Sequence, residues 1–158
     1  MQTENFRYSS PIGTLYLTLF EDSLFELAYE TDQPERFSDH LPAGSIHRWL
    51  DRYFATANSS DVPSLKMRGT AFQRKVWQAM LDIPAGRTKS YGEIARVLGT
   101  APRAVGQACR SNHLPIVIPC HRIVASGSIG GYEGSTSGHR LERKSWLLEH
   151  EKNHTQIA

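Results

Sequence analysis

The chain has no uninterrupted apolar run approaching the roughly 18 residues that a membrane-spanning helix needs, and no basic segment followed by an apolar leader at its start. Both absences predict a soluble, unexported protein, cytoplasmic or, in a eukaryote, nuclear. Cysteine is scarce: Cys109 and Cys120 are the only two. Without an export signal they are expected as free thiols in a reducing compartment. Neither a C-x-x-C spacing nor a Cys/His quartet occurs, which argues against a structural zinc site. No metal and no cofactor is expected.

Lysine is missing from residues 1–65, which hold four arginines against ten acids, a balance of −6. Residues 66–158 hold fourteen Lys or Arg against six acids, a balance of +8. The net charge of +2 therefore conceals an acidic half and a basic half. A polyanion binder with one working face has this pattern, although ordinary solvated surface charge produces it too. With 158 residues, 39% of them hydrophobic, the chain suffices for one ordinary core or two small lobes.

In the acidic half, Leu15, Leu17 and Leu19 alternate with Tyr16, Thr18 and Phe20, and a second run follows from Leu24 to Tyr29. This predicts a β-hairpin with one buried face. Residues 32–45 are polar with two prolines and are expected as loop. Ile46, Trp49, Leu50, Tyr53 and Phe54 recur at helical spacing and predict an amphipathic helix. The segment 56–65, with Asn58-Ser59-Ser60-Asp61 and Pro63, is the best linker and coincides with the charge switch, so domains of 1–65 and 66–158 are expected.

In the basic half, Thr70 is placed to cap a helix whose apolar residues are Phe72, Val76, Trp77, Met80 and Leu81, stopped by Pro84-Ala85-Gly86. Ser90-x-x-Glu93 is a capping box for a helix through Leu98, ended by Gly99. A second helix is expected from about Ala101 to Ser111, with Thr100 as its cap and Pro102 in its first turn. Two short helices joined through a glycine turn predict a helix-turn-helix, a shape used for DNA and also as plain structure. The second helix has small residues at Ala101, Ala104, Gly106 and Ala108, with long cations at Arg103 and Arg110. Small side chains let a backbone approach phosphates and sugars closely.

The stretch Ile116-Val117-Ile118-Pro119-Cys120-His121-Arg122-Ile123-Val124 reads as a buried strand, yet a proline, a cysteine and two cationic residue types interrupt it. That conflict marks a functional site. Successive strand side chains point to opposite faces, so Cys120 is expected at a strand exit created by Pro119, with His121 acting on it through a bend or a water. Beyond it, 125–128 is a turn, 129–132 a glycine-permitted loop, and Leu141, Trp146, Leu147 and Leu148 belong to a last helix ending near Lys152. Residues 153–158 are expected to fray.

Pro119-Cys120-His121-Arg122 resembles the active-site signature of the O6-alkylguanine-DNA alkyltransferases. Ser90-Tyr91-Gly92-Glu93-Ile94-Ala95, then Arg103-Ala104-Val105-Gly106 and Asn112, resemble the family's DNA-binding segment in order and spacing. Gly131-Tyr132 and the run from Arg143 to Glu151 resemble its pocket loop and last helix. The resemblance spans about residues 68–151. It implies an α+β fold: a small ribonuclease H-like lobe of β-hairpin and helix, then a mostly helical, winged helix-turn-helix-like domain. It also implies direct-reversal repair, in which the alkyl group of O6-alkylguanine, and of O4-alkylthymine, passes irreversibly from double-stranded DNA to Cys120. The protein would act as a monomer with no obligate protein partner.

By the same resemblance Glu151 holds His121, Asn112 braces the site, Tyr91 presses on the phosphate beside the flipped nucleotide, and Arg103 fills the space left by the base. Ala104 and Arg110 join them on the DNA side. Tyr132 and Pro115 wall the pocket, backbone near Cys120 and Ile123 reads the base, and Ser135 closes it. Residues 133–142 are longer than the family's short glycine-rich link, a departure at the segment that holds Ser135. Two other functions fit parts of the chain. A non-catalytic helix-turn-helix lesion binder or regulator would not need Cys120. A cysteine hydrolase would recruit distant His40 or His47, and nothing around Cys120 resembles a protease elbow.

Overall fold

A computed structural model describes residues 2–128, 130–132 and 138–155 of the chain. It divides into two compact units, Met1–Met67 and Arg68–Ala158. The architecture is α+β, with five α-helices among the described residues.

The first unit is an antiparallel meander of β1 (Thr3–Ser10), β2 (Gly13–Phe20) and β3 (Ser23–Ala28) with helix α1 (Ser45–Thr56). The expected hairpin is β2–β3, pairing Leu17 with Leu27 across a bulge at Thr18/Leu19. Strand β1 was not foreseen. Of its apolar side chains Phe6 alone is buried, and an edge strand with one wet face can be otherwise polar. Phe6, Leu15, Leu17, Leu24 and Leu27 are buried, as are Ile46, Trp49, Leu50 and Tyr53 of α1. Tyr8 fastens α1 to the sheet by stacking on Phe54 and donating to Asp51 at 2.7 Å. The segments expected as loop and linker cover the sheet edges: Arg7 N donates to Ser38 O at 2.7 Å, and Leu24 N to Ser64 O at 2.8 Å.

The second unit is built on helices. Helix α2 (Ala71–Leu81) opens with a full capping box between Thr70 and Gln73. Gly69 before it lies so close to Trp77 that a Cβ would stand 2.5 Å from the indole, which forbids any side chain there. Trp77 donates its indole N–H to Ala108 O at 2.9 Å in the interior. Strand β4 (Lys89–Ser90) runs into α3 (Tyr91–Leu98), with the predicted Ser90/Glu93 capping box in place. Gly99 then adopts φ 68°, and α4 (Pro102–Arg110) completes the helix-turn-helix.

Thr100 does not cap α4. Its N–H is spent on Ala95 O at 2.9 Å, closing a Schellman turn with Gly99, and Ala101 occupies the cap position with no side-chain bond. Helix α5 runs His139–Thr155, three residues beyond its expected end. No helix among the described residues is long and apolar enough to cross a membrane.

The larger correction concerns 116–124. Only β5 (Ile123–Val124) is strand, paired in parallel with β4, and residues 114–119 are buried irregular chain. Buried apolar periodicity cannot tell a short strand from a coil whose polar groups are satisfied locally. Here they are: Asn112 Nδ2 donates to Ile118 O and Asn112 Oδ1 accepts from Leu114 N, both at 2.9 Å, while Ile118 N donates to Leu114 O.

Because the Ser90 side chain satisfies an otherwise orphaned N–H at the start of α3, Ser90→Ala should lower stability by about 0.5–2 kcal/mol. Urea denaturation checks this, and an unchanged midpoint would show that α3 is held by packing alone.

Candidate active site

Cys120, His121 and Arg122 form a single 3-10 turn. Pro119, at φ −81° and ψ 67°, is the centre of an inverse γ-turn closed by Cys120 N donating to Ile118 O at 2.8 Å. This is the expected bend. A 3-10 turn has three residues per revolution, so the three side chains leave it in three directions. Cys120 therefore does not point where His121 and Arg122 point, and its exposure is 5%.

His121 and Arg122 converge on one carboxylate. His121 Nε2 lies 2.6 Å from Glu151 Oε2, Arg122 Nε donates to Glu151 Oε1 at 2.8 Å, and Arg122 Nη2 donates to Oε2 at 3.0 Å. Arg122 Nη1 also donates to Ile83 O, just beyond α2, at 2.6 Å. All three side chains are almost completely buried. Burial alone would raise the Glu151 pKa, but His121 and Arg122 overcome it and hold the carboxyl far below its ordinary range. An ionised carboxylate only accepts, so His121 carries its proton on Nε2. Nδ1 is then a bare lone pair, buried without a hydrogen-bonding partner among the described residues. Burial, opposed by Glu151, lowers the His121 pKa. The imidazole is neutral at neutral pH and able to accept a proton.

Asn112 is bonded across the loop before Cys120, to Ile118 O and Leu114 N. Ile116, fully buried, is held at φ 74°, a left-handed conformation that costs a β-branched residue roughly 1–3 kcal/mol. Tyr91 opens α3 half-buried, and burial, then the thiols of Cys109 and Cys120, push its hydroxyl up to about 12. Cys109, on α4, is driven well above its ordinary thiol value by burial and by Cys120. Pro115, Ile123 and Tyr132 are buried. Arg103 and Arg110 are exposed on α4 and Ala104 is half-buried. Ser135 lies outside the described residues.

Two residues at the site had no role assigned from sequence. Arg122 was visible only as a letter of the motif. Lys144 is fully buried on α5, with Nζ donating to Ile123 O and Gly131 O at 2.7 Å each. The available signal was spacing: Lys144, Leu147 and Glu151 fall at i, i+3 and i+7, so two charged residues share the apolar stripe of one helix. Among the described residues no group of three or more His, Cys, Asp or Glu could hold a metal ion.

The pH dependence of stability follows from the two shifts. The unfolded chain protonates His121 near its ordinary value of about 6.5 while the folded chain resists, so stability falls as pH drops below that value. Glu151 adds stability that is present above about 4.3 and lost as pH falls further. Denaturation at about pH 7.5 and 5.5 should show a smaller loss for His121→Gln than for the wild type; equal losses would contradict a neutral buried His121.

Residues 71–153 match the family described as 6-O-methylguanine DNA methyltransferase, DNA binding domain. The chain is 41% identical over 152 residues to the methylated-DNA--protein-cysteine methyltransferase of Mycobacterium leprae, an alignment covering 91% of this chain and 89% of that protein. The crystal structure of Mycobacterium tuberculosis O6-methylguanine methyltransferase matches with a TM-score of 0.83 at 35% identity, covering 99% of this chain and 97% of the other. That of M. tuberculosis OGT in complex with DNA matches with 0.81 at 38%, covering 96% and 94%. A cysteine turn backed by a buried His–Glu–Arg cluster, beside a helix-turn-helix, is thus found in a chain that belongs to the methylated-DNA--protein-cysteine methyltransferase family.

Proposed function

We propose that the protein repairs alkylated DNA by direct reversal, taking the alkyl group of O6-alkylguanine onto its own Cys120. The observation that carries this reading is the neutral His121, fixed by Glu151 and Arg122 with Nδ1 bare, one residue from a nearly buried thiol. A thiol at its ordinary pKa of about 8.5 is mostly protonated at neutral pH and needs such a base. The Sγ proton passes to Nδ1 through a water. The thiolate attacks the alkyl carbon, the C–S bond forms as the C–O6 bond breaks, and the bonding pair leaves with the guanine oxygen, which is restored by a proton. A thioether offers water no carbonyl to attack, so each chain reacts once.

The O6 atom is inside the stack of a duplex, so the nucleotide must be extruded. Helix α4 is suited to lie against the groove. Gly106 sits mid-helix although a Cβ there would meet nothing within 4 Å, so the interior gives no reason for glycine. A mid-helix glycine costs roughly 0.5–1 kcal/mol, and close approach of a partner backbone supplies the reason. Arg103 is exposed in the first turn of that helix, placed to occupy the vacated stack, and Tyr91 presses on the neighbouring phosphate. Ala104 and Arg110 complete the DNA face, and the +8 balance of residues 66–158 supplies the attraction to phosphate. Minor-groove binding with an inserted side chain carries little sequence information, as general repair requires.

Tyr132 and Pro115 wall the pocket. Ile123 O already accepts from Lys144, so any contact with the base uses its second lone pair. Residues 66–158 form the DNA-binding and alkyltransferase domain and 1–65 the acidic lobe. The protein acts as a monomer without a cofactor, in the cytoplasm or in the nucleus of a eukaryote. A binding-only function is disfavoured because the nucleophile is present.

The intact mass after incubation with a duplex containing O6-methylguanine should rise by one methyl per chain, and Cys120→Ser should abolish the rise while retaining DNA binding. Cys109→Ser should still take up methyl. No mass change in the wild type would reduce the protein to a lesion binder, and methyl found on Cys109 would move the nucleophile.

Arg103→Ala should slow repair of duplex DNA more than reaction with free O6-benzylguanine, because supporting an extruded base does nothing for a substrate without a stack. Equal losses on both substrates would assign Arg103 to the chemistry or the fold.

A further inference from the structure

The buried charges of the second unit do not balance. Arg122 and Lys144 are cations of 2% and 0% exposure, and Glu151, at 1%, is an anion. His121 is held neutral, and the buried His150 stacks on Trp146 and meets His154 edge-on. Glu151 is committed to His121 and Arg122. Lys144 has no carboxylate among the described residues, only the Ile123 and Gly131 carbonyls. An ammonium buried on two neutral acceptors is costly unless a negative charge is near.

The groups facing that ammonium supply one candidate. A Cβ on Gly130 would stand 3.5 Å from Lys144 Nζ and 3.4 Å from the Tyr91 ring, so Nζ and Tyr91 flank one small space. Burial lowers the Lys144 pKa to about 8, and the opposing influences are Cys120 first, then Cys109. Tyr91, pushed up to about 12, stays neutral, and the Cys109 thiol is pushed higher still. Among the described residues, Cys120 is left to carry the compensating anion. Lys144 also helps lower the His121 pKa, so a proton that Nδ1 takes from Cys120 is passed on to solvent rather than kept. One buried cation thus favours the pairing of thiolate with neutral imidazole.

We propose that Lys144 is a positioning residue for alkyl transfer, its buried ammonium serving as the counter-charge that holds Cys120 as a thiolate. The inference rests on Cys120 being the alkyl acceptor. With the thiolate formed and its proton passed from His121 to solvent, the buried charges of Arg122, Lys144, Glu151 and Cys120 are two cations and two anions. Lys144 also ties Ile123, next to the cysteine turn, to Gly131, next to Tyr132, so the group that charges the nucleophile also clasps the pocket wall.

The test follows carboxamidomethylation of Cys120 by iodoacetamide against pH, read by peptide mass spectrometry, in the wild type and in Lys144→Met. The inflection should rise by roughly 1–3 pH units in the variant, the usual effect of losing one nearby opposite charge. An unchanged inflection in a variant that circular dichroism shows to be folded overturns the proposal. Should Lys144→Met fail to fold, heteronuclear NMR of the lysine ammonium in wild type and Cys120→Ser decides: Lys144 should titrate at lower pH without the thiolate, and equal titration overturns the proposal. Iodoacetamide needs no lesion, so the two readings fail separately: a wild type that takes no methyl from damaged DNA sinks the repair function, whereas an unmoved inflection sinks only the role of Lys144.

Discussion

The site depends on one buried carboxylate shared by two donors. Desolvation alone would drive Glu151 to its protonated form, and a protonated Glu151 would neither pair with Arg122 nor fix the tautomer of His121. The His121 contact, and after it the bidentate Arg122 contact, reverse that preference. Because Arg122 reaches Ile83 O as well, the same guanidinium joins the cysteine turn, α5 and the end of α2. Removing either partner would leave an unpaired buried charge, which typically costs about 3–5 kcal/mol. Fold and chemistry are therefore constrained together: the orientation of His121 cannot be lost without loosening the packing of three elements.

The backbone leading to Cys120 obeys a related constraint. A regular strand from 116 to 124 would send Cys120 and His121 to opposite faces and leave α5 able to reach only one of them. The observed path replaces ladder bonds with Asn112 side-chain bonds, a γ-turn at Pro119 and a 3-10 turn. Ile116 at φ 74° is the local cost, offset by the hydrogen bonds and burial on either side. The parallel bridge from Ile123 to Lys89 then sets the exit of this turn beside the entry to α3, where Tyr91 stands. Reactive turn and helix-turn-helix are thereby brought into register by two residues of sheet.

Much of this was legible where local rules decide the outcome. The Thr70 and Ser90 caps, the Gly99 turn and the α1 stripe follow from side-chain reach and helical spacing, which tertiary context seldom changes. Strand β1 was not legible because an edge strand with one buried residue has no strong period. The 116–119 segment was misread because apolar burial is common to strands and to coils satisfied by a neighbouring side chain. Thr100 lost its cap role because the Schellman turn at Gly99 takes Thr100 as its closing residue, and Ala101 stands at the cap position of the next helix. Glu151 came from family resemblance, although its helical spacing from Lys144 and Leu147 was a signal that the exposed Glu149 on the same helix lacks. Arg122 and Lys144 were hidden for a physical reason: a buried cation is unfavourable until its partners are known, and those partners are 29 residues away for one and backbone carbonyls for the other.

A nucleophile used once relaxes constraints that turnover imposes. A catalyst that regenerates must admit water to its intermediate and release its product, so its site has to open. An acceptor whose thioether is final admits no water to that intermediate and keeps the alkyl group, so Cys120 can sit in a nearly closed turn where Glu151 and Arg122 are committed and His121 Nδ1 is left to take the proton. The same economy has a consequence for the spent protein. Alkylation replaces a thiolate by a neutral sulfur, so the cations Arg122 and Lys144 then face only Glu151. Lys144 must shed its proton or remain as an uncompensated buried charge, and either change weakens its hold on Ile123 and Gly131. The charge balance that favours transfer in the resting protein is thus consumed by the transfer, and the loop around Tyr132 is where its loss would first be felt.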